Sequence, residues 1–259
     1  MSAWQEMPRR VKPPAVSLTP DQVEHYRRDG YLHLSGFLPA EPLREWVGEL
    51  ESWPETQGKW MLYYEPHRRI PHQRLLCRAE NFLPYHPDLR ELCTGALLET
   101  AEQLMGESLV LFKDKLNFKL PGGDGFAPHQ DVQAGWDAWG SIHLTAMVAI
   151  DRATPGNGCL EVVPGRHREG LLGPMHEPLS ELGLEFQPLE AAPGDTIFFD
   201  SFVPHRSGPN DSSQARRILY ITYGLRREGD RREEYFAAKR KSYPPDCERE
   251  PGRTYRYRV

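Results

Sequence analysis

Near residue 106 the hydrophobic pattern of this chain changes period, and that change limits the fold more than any other feature. Before it, apolar residues recur at helical spacing: Val23 and Tyr26, then Leu43, Trp46, Val47 and Leu50, then Leu89, Leu92, Leu97, Leu98 and Leu104. Beyond Gly106 they alternate. Val110, Phe112, Leu116, Phe118 and Leu120 are set to face one way, and Lys113, Lys115, Asn117 and Lys119 the other. Short apolar runs between Gly/Pro turns follow at 144–150, 159–163, 196–199 and 218–223. Helices first and strands second predict an α+β chain whose core is a β-sandwich or jelly roll flanked by helices.

Local signals divide the chain further. Thr19-Pro20-Asp21-Gln22 reads as a capping box with proline in the first turn, and Gly30 as the left-handed end of that helix. Tyr31 to Leu34 forms a short strand, a second helix begins near Pro42, and a third runs from Pro87 to about Met105. Residues 60–86 read as an irregular, aromatic and basic segment that folds over a cavity mouth, and the charged stretch after Arg226 as a cover on the barrel exterior. Residues 1–17 read as a flexible tail. Residues 18–259 suffice for one domain with a core that needs no metal or disulfide staple.

Six Trp, eleven Tyr and ten Phe supply enough apolar surface to exclude a disordered chain. A net charge of -5 gives no broad basic face for nucleic acid. No run of about 20 apolar residues could span a bilayer, and the amino terminus lacks the apolar stretch of a secretory signal. The four cysteines, Cys77, Cys93, Cys159 and Cys247, form no CxxC pair and read as free thiols. The expectation is a cytoplasmic protein with a small-molecule partner, no nucleic acid and no membrane; a homo-oligomer is compatible with it.

His129-Gln130-Asp131 is the first chemical signal. On an extended strand residues two apart point to the same side, so this His and this carboxylate reach one metal. Alone the triplet is weak, and a surface histidine beside a turn aspartate is the commoner explanation. Downstream, however, Pro204-His205-Arg206-Ser207-Gly208-Pro209-Asn210 follows the strand at 196–199, and Arg216 opens another strand. Two imidazoles and one carboxylate leave three adjacent positions on an iron(II) ion open for a chelating 2-oxo acid and O2. The distal carboxylate of 2-oxoglutarate then calls for a fixed guanidinium, and Arg216 is placed to supply it.

These pieces resemble the phytanoyl-CoA dioxygenase family of iron/2-oxoglutarate oxygenases. HQD at 129–131, TAMVAID at 145–151, NGCLEVVPGRH at 157–167, PGDTIFFDS at 193–201 and PHRSGPN before Arg216 carry the likeness, with DGYLHLSGFL at 29–38 as its entry strand. The resemblance implies a double-stranded β-helix with iron held by His129, Asp131 and His205. It also implies 2-oxoglutarate held by Arg216 and Ser207. Arg78 and Lys115 match positions near the co-substrate where family members often carry Lys and an apolar residue, and Leu144 replaces a frequent Trp. Because Asp131 is present, the resemblance implies hydroxylation.

Trp136, Gln133, Asn117 and Tyr63 are the candidate substrate contacts. Aromatic rings near the metal suit an ammonium or trimethylammonium group, and the lysines and arginines an anion. HQDVQAGW also resembles bacterial family members that hydroxylate aminoalkylphosphonates next to phosphorus. Rival expectations are a tailoring hydroxylase for a secondary metabolite or acyl thioester, a cupin-like metal isomerase, and a non-catalytic 2-oxoglutarate-binding module. The isomerase would have no use for Arg216 beyond packing.

Overall fold

A computed structural model describes residues 17–255; the tail expected over 1–17 therefore lies, Ser17 apart, outside the described residues. The strands run in chain order as β1 (Tyr31–Leu34), β2 (Met61–Pro66), β3 (Arg74–Glu80), β4 (Leu109–Lys119), β5 (Phe126–His129), β6 (His143–Ala149), β7 (Leu160–Val162), β8 (Gln187–Leu189), β9 (Thr196–Asp200), β10 (His205–Ser207) and β11 (Arg216–Leu225). A larger sheet has the order β1-β9-β6-β11-β4-β3-β2, and a smaller one the order β5-β10-β7-β8. All pairings are antiparallel. The two sheets form the jelly roll that the change of period foretold.

Helices α1 (Pro20–Asp29), α2 (Ala40–Glu51), α3 (Pro87–Thr94) and α4 (Ala96–Met105) cover the outer face of the larger sheet. Their Leu43, Val47, Leu89, Leu97 and Leu104 share one apolar core with Leu116, Phe118, Val148, Phe198 and Leu219. The capping box of α1 is formed, and Gly30 ends the helix at a φ of 82°. Where one helix was expected from Pro87 to Met105 there are two, broken at Gly95. Glycine is the weakest helix former but proline, and the break lets both segments turn leucines onto the sheet.

A second core fills the space between the sheets, where Met147, Ile197, Phe199 and Ile218 meet Leu160, Val162 and Val203. The face of β4 read as polar is thus an inner wall: Lys113, Asn117 and Lys119 are all buried. Phe112 departs from the expected alternation. The β4–β11 register skips it between Thr222 and Tyr223, and this bulge turns its ring toward Trp136, His143 and Tyr235.

Two expectations need correction. Residues 60–86 are not irregular: β2 and β3 pair and extend the larger sheet past β4. Met61, Leu62 and Tyr63 are all buried because both faces of this hairpin are covered, which erased the alternation that marks a half-exposed strand. Nor does the charged stretch after Arg226 merely coat the exterior. Its helix α5 (Arg232–Ser242) buries Tyr235 and Phe236 against Met61, Tyr63, Phe112 and Trp136.

Candidate active site

His129 ends β5 and His205 begins β10, and the antiparallel register sets them opposite each other. Their ring centroids lie 4.2 Å apart. Asp131 opens a 3-10 turn over 131–134 rather than continuing the strand, yet it still reaches the same point. One ligand atom from each of the three falls within 4.8 Å of the others, with His205 Nε2 3.9 Å from Asp131 Oδ1. His129 Nδ1 lies 2.7 Å from the Ala127 carbonyl and His205 Nδ1 2.9 Å from that of Val203. A carbonyl only accepts, so the proton sits on Nδ1 and each Nε2 lone pair is left for a metal. Thr145 donates its hydroxyl to Asp131 Oδ2 at 3.4 Å.

The electrostatics suit the same role. Burial, reinforced by His205, pulls the His129 imidazole down to about 3. Burial likewise lowers His205. Burial alone would raise Asp131, but His205 and Lys115 outweigh it and hold the carboxyl below its ordinary value. The cluster is therefore two neutral imidazoles and an ionised carboxylate, the protonation state that metal ligands require.

The turn that carries Asp131 is tied down by two buried glutamines. Gln130 donates to the carbonyls of Gly170 and Phe202 and accepts from Leu172 N–H. Gln133 donates to the carbonyls of Pro174 and Glu177 and accepts from Gln130 N–H. Gln133 thus lies under the site and not among the residues that line it, because its amide is fully engaged in holding the 170–177 loop.

His129, Asp131 and His205 line one cavity that opens to solvent. Lys113, Lys115, Asn117, Trp136, Tyr220 and Ser207 stand on its wall. Asp131 is the single carboxylate among the described residues there. Burial, aided by neighbouring Lys113, lowers Lys115 to about 7. Trp136 presents a buried indole N–H with no acceptor, and Lys113 Nζ stands 5.2 Å from its ring centroid. Tyr63 and Arg78 are not brought to this cavity. They line a neighbouring one, where the Arg78 guanidinium lies 4.6 Å from the Tyr63 ring and Tyr63 donates to the Tyr243 carbonyl.

A model of the phytanoyl-CoA dioxygenase family matches residues 26–218. The chain belongs to that family. Among its relatives, a 2-aminoethylphosphonate dioxygenase of an uncultured bacterium is 41% identical over 246 residues, 92% of this chain and 93% of that protein. The methylphosphonate hydroxylase of Gimesia maris is also 41% identical, over 88% of this chain and 89% of its own length. The structure of EctD from S. alaskensis with 2-oxoglutarate and 5-hydroxyectoine superposes with a TM-score of 0.69 at 22% identity, covering 85% and 83% of the two chains, and shares the fold.

In this family member the Arg216 side chain provides a test of whether 2-oxoglutarate fits. It is fully buried, and none of its three guanidinium nitrogens has a well-aligned acceptor. The neutral Tyr220 hydroxyl beside it does not balance its charge, and a buried cation without a counter-charge is costly, so the site suits an anion. Its strand neighbour Lys119 donates to Ser207 Oγ at 2.8 Å and to the Gly208 carbonyl. Burial, then Arg216, lowers that amine to about 6. Gly158 permits this arrangement: at its φ of +74° a Cβ would come within 2.0 Å of the Gly208 carbonyl. Arg216 itself does not line the cavity; Ser207 and Tyr220 do.

Sequence reasoning passed over Thr145, Thr222, Phe126 and Phe199, which also line the cavity. The pairing of Thr145 with Thr222 across β6 and β11 at 3.0 Å carries no local motif.

Proposed function

We propose that this protein is an iron(II)- and 2-oxoglutarate-dependent hydroxylase of a small phosphonate, acting at the carbon next to phosphorus. The observation that carries the reading is one cavity in which the His129/Asp131/His205 cluster stands beside Lys113 and Lys115. His129, Asp131 and His205 would hold iron, and Arg216 with Ser207 the distal carboxylate of 2-oxoglutarate. Bound there, iron with 2-oxoglutarate and O2 supplies the oxidation that turns C–H into C–OH, with succinate and carbon dioxide as co-products.

The chain's own residues do the rest. Lys113, Lys115 and the Trp136 indole N–H present donors to phosphonate oxygens, which charged donors bind more strongly than neutral ones. One aromatic position expected for a substrate ammonium is already taken, since Lys113 lies over Trp136. The names of the two 41% identical relatives support a phosphonate substrate. A reducing, cytoplasmic setting fits the four free cysteines.

The test is substrate-dependent succinate release with methylphosphonate, 2-aminoethylphosphonate, its trimethylammonium analogue, free amino acids and acyl-CoA thioesters. One succinate per 1-hydroxyphosphonate, followed by phosphorus NMR, is expected. Turnover of amino acids or thioesters with none of the phosphonates would replace this reading with a tailoring hydroxylase.

A further inference from the structure

Glu80 is fully buried and does not line the cavity, yet three cations converge on it. Arg78 Nε lies 3.2 Å and Lys113 Nζ 3.9 Å from Oε1, while Lys239 of α5 holds Oε2. Only Lys113 of these three stands on the wall of the cavity lined by His129, Asp131 and His205. Its ammonium lies between this carboxylate and the rings of Trp136 at 5.2 Å and Tyr235 at 5.7 Å. A lysine enclosed to 4% exposure among aromatic rings is held in one direction by an anion standing close behind it.

We infer that Glu80 is a positioning residue that fixes Lys113 at the cavity wall as the cation receiving the substrate's phosphonate, with Lys239 securing Glu80 from the C-terminal helix. The inference rests on the phosphonate reading above. It explains why a helix beyond the jelly roll, α5, delivers a half-buried lysine to a strand that carries no residue of the His129/Asp131/His205 cluster. It also assigns a role to a carboxylate that no spacing in the sequence marks.

The experiment compares wild type, Glu80→Gln, Glu80→Asp, Lys113→Met and the Lys113→Met/Glu80→Gln double variant, each loaded with iron(II) and 2-oxoglutarate. Methylphosphonate is the probe, read both as KM and as anaerobic binding. Glu80→Gln is expected to raise KM and the dissociation constant at least tenfold, with kcat changed less than threefold and 2-oxoglutarate affinity unchanged. Glu80→Asp keeps the charge but withdraws it from Lys113, so a threefold to tenfold effect is expected even if the glutamine variant does not fold. Because Glu80 acts through Lys113, adding Glu80→Gln to Lys113→Met should cost less than a further twofold. Wild-type affinity in both Glu80 variants, or a full tenfold loss added to Lys113→Met, would overturn the role of Glu80 alone. A wild type that binds no phosphonate would overturn the functional reading and this inference together.

Discussion

Replacing Arg216 with Met should move two measurable quantities in opposite directions. The guanidinium is fully enclosed, with no carboxylate partner among the described residues and only the neutral Tyr220 hydroxyl beside it, so its desolvation is incompletely offset without co-substrate. Removing the charge should leave the unliganded fold as stable as before, or more so. Binding of 2-oxoglutarate should suffer instead. Truncating one partner of a buried, hydrogen-bonded charge pair costs about 2–5 kcal/mol, which at about 1.4 kcal/mol per decade weakens the dissociation constant about 30- to 4,000-fold. Anaerobic titration of the iron(II) protein with 2-oxoglutarate, followed by the weak visible band of the chelate, measures that constant. Thermal denaturation supplies a second reading. At a concentration one hundred times the wild-type constant, 2-oxoglutarate stabilises the wild type by about 2.7 kcal/mol and the variant by no more than about 0.9 kcal/mol. A change in affinity below threefold, or an unliganded variant several kcal/mol less stable than wild type, would show that Arg216 is a packing residue.

His205→Ala and Asp131→Ala should each lose iron(II) and substrate-dependent succinate release, read as metal content after dialysis and as turnover; retained iron in either removes that residue from the ligand set. Gln133→Leu strands the carbonyls of Pro174 and Glu177 and should cost about 2 kcal/mol or more in denaturant unfolding. It should also loosen iron about 10- to 100-fold and open the 170–177 loop to protease, whereas wild-type metal affinity would deny it any hold on the ligand turn. Burial raises the Asp200 carboxyl to about 6, above its unfolded range, so its protonated form favours the fold at low pH and that contribution is lost as pH rises through 6. The stability of Asp200→Asn relative to wild type should therefore climb by about 2–3 kcal/mol between pH 4 and pH 8; a difference that stays flat with pH contradicts this.

The His129/Asp131/His205 cluster was legible from the two-residue spacing of a histidine and a carboxylate and from a later histidine after a strand, although a 3-10 turn and not a continued strand brings Asp131 to His129. Arg216 was singled out for a related reason, since a cofactor of known shape demands a guanidinium, and the structure shows it fully buried. Substrate-side residues were less so. Gln133 and Tyr63 have the right chemistry near the right place, but orientation decides their role, and hydrogen bonds to the 170–177 loop and to Tyr243 turn both away from the cavity lined by His129, Asp131 and His205. The hairpin of β2 and β3 was hidden by burial on both faces. The bulge at Phe112 was hidden because an extra residue in one strand is visible only against the register of its partner.

The strand β4 carries Lys113, Asn117 and Lys119 toward the inner side and Leu116 and Phe118 into the helix-facing core. Heritable change along this segment is thereby split between two kinds of outcome. Substitutions at odd-numbered positions between 113 and 119 can retune which molecules are accepted while the helical layer stays as it was. A single deletion in the same stretch would do the reverse of fine adjustment, swinging leucine and phenylalanine toward the reaction chamber and lysines into oil.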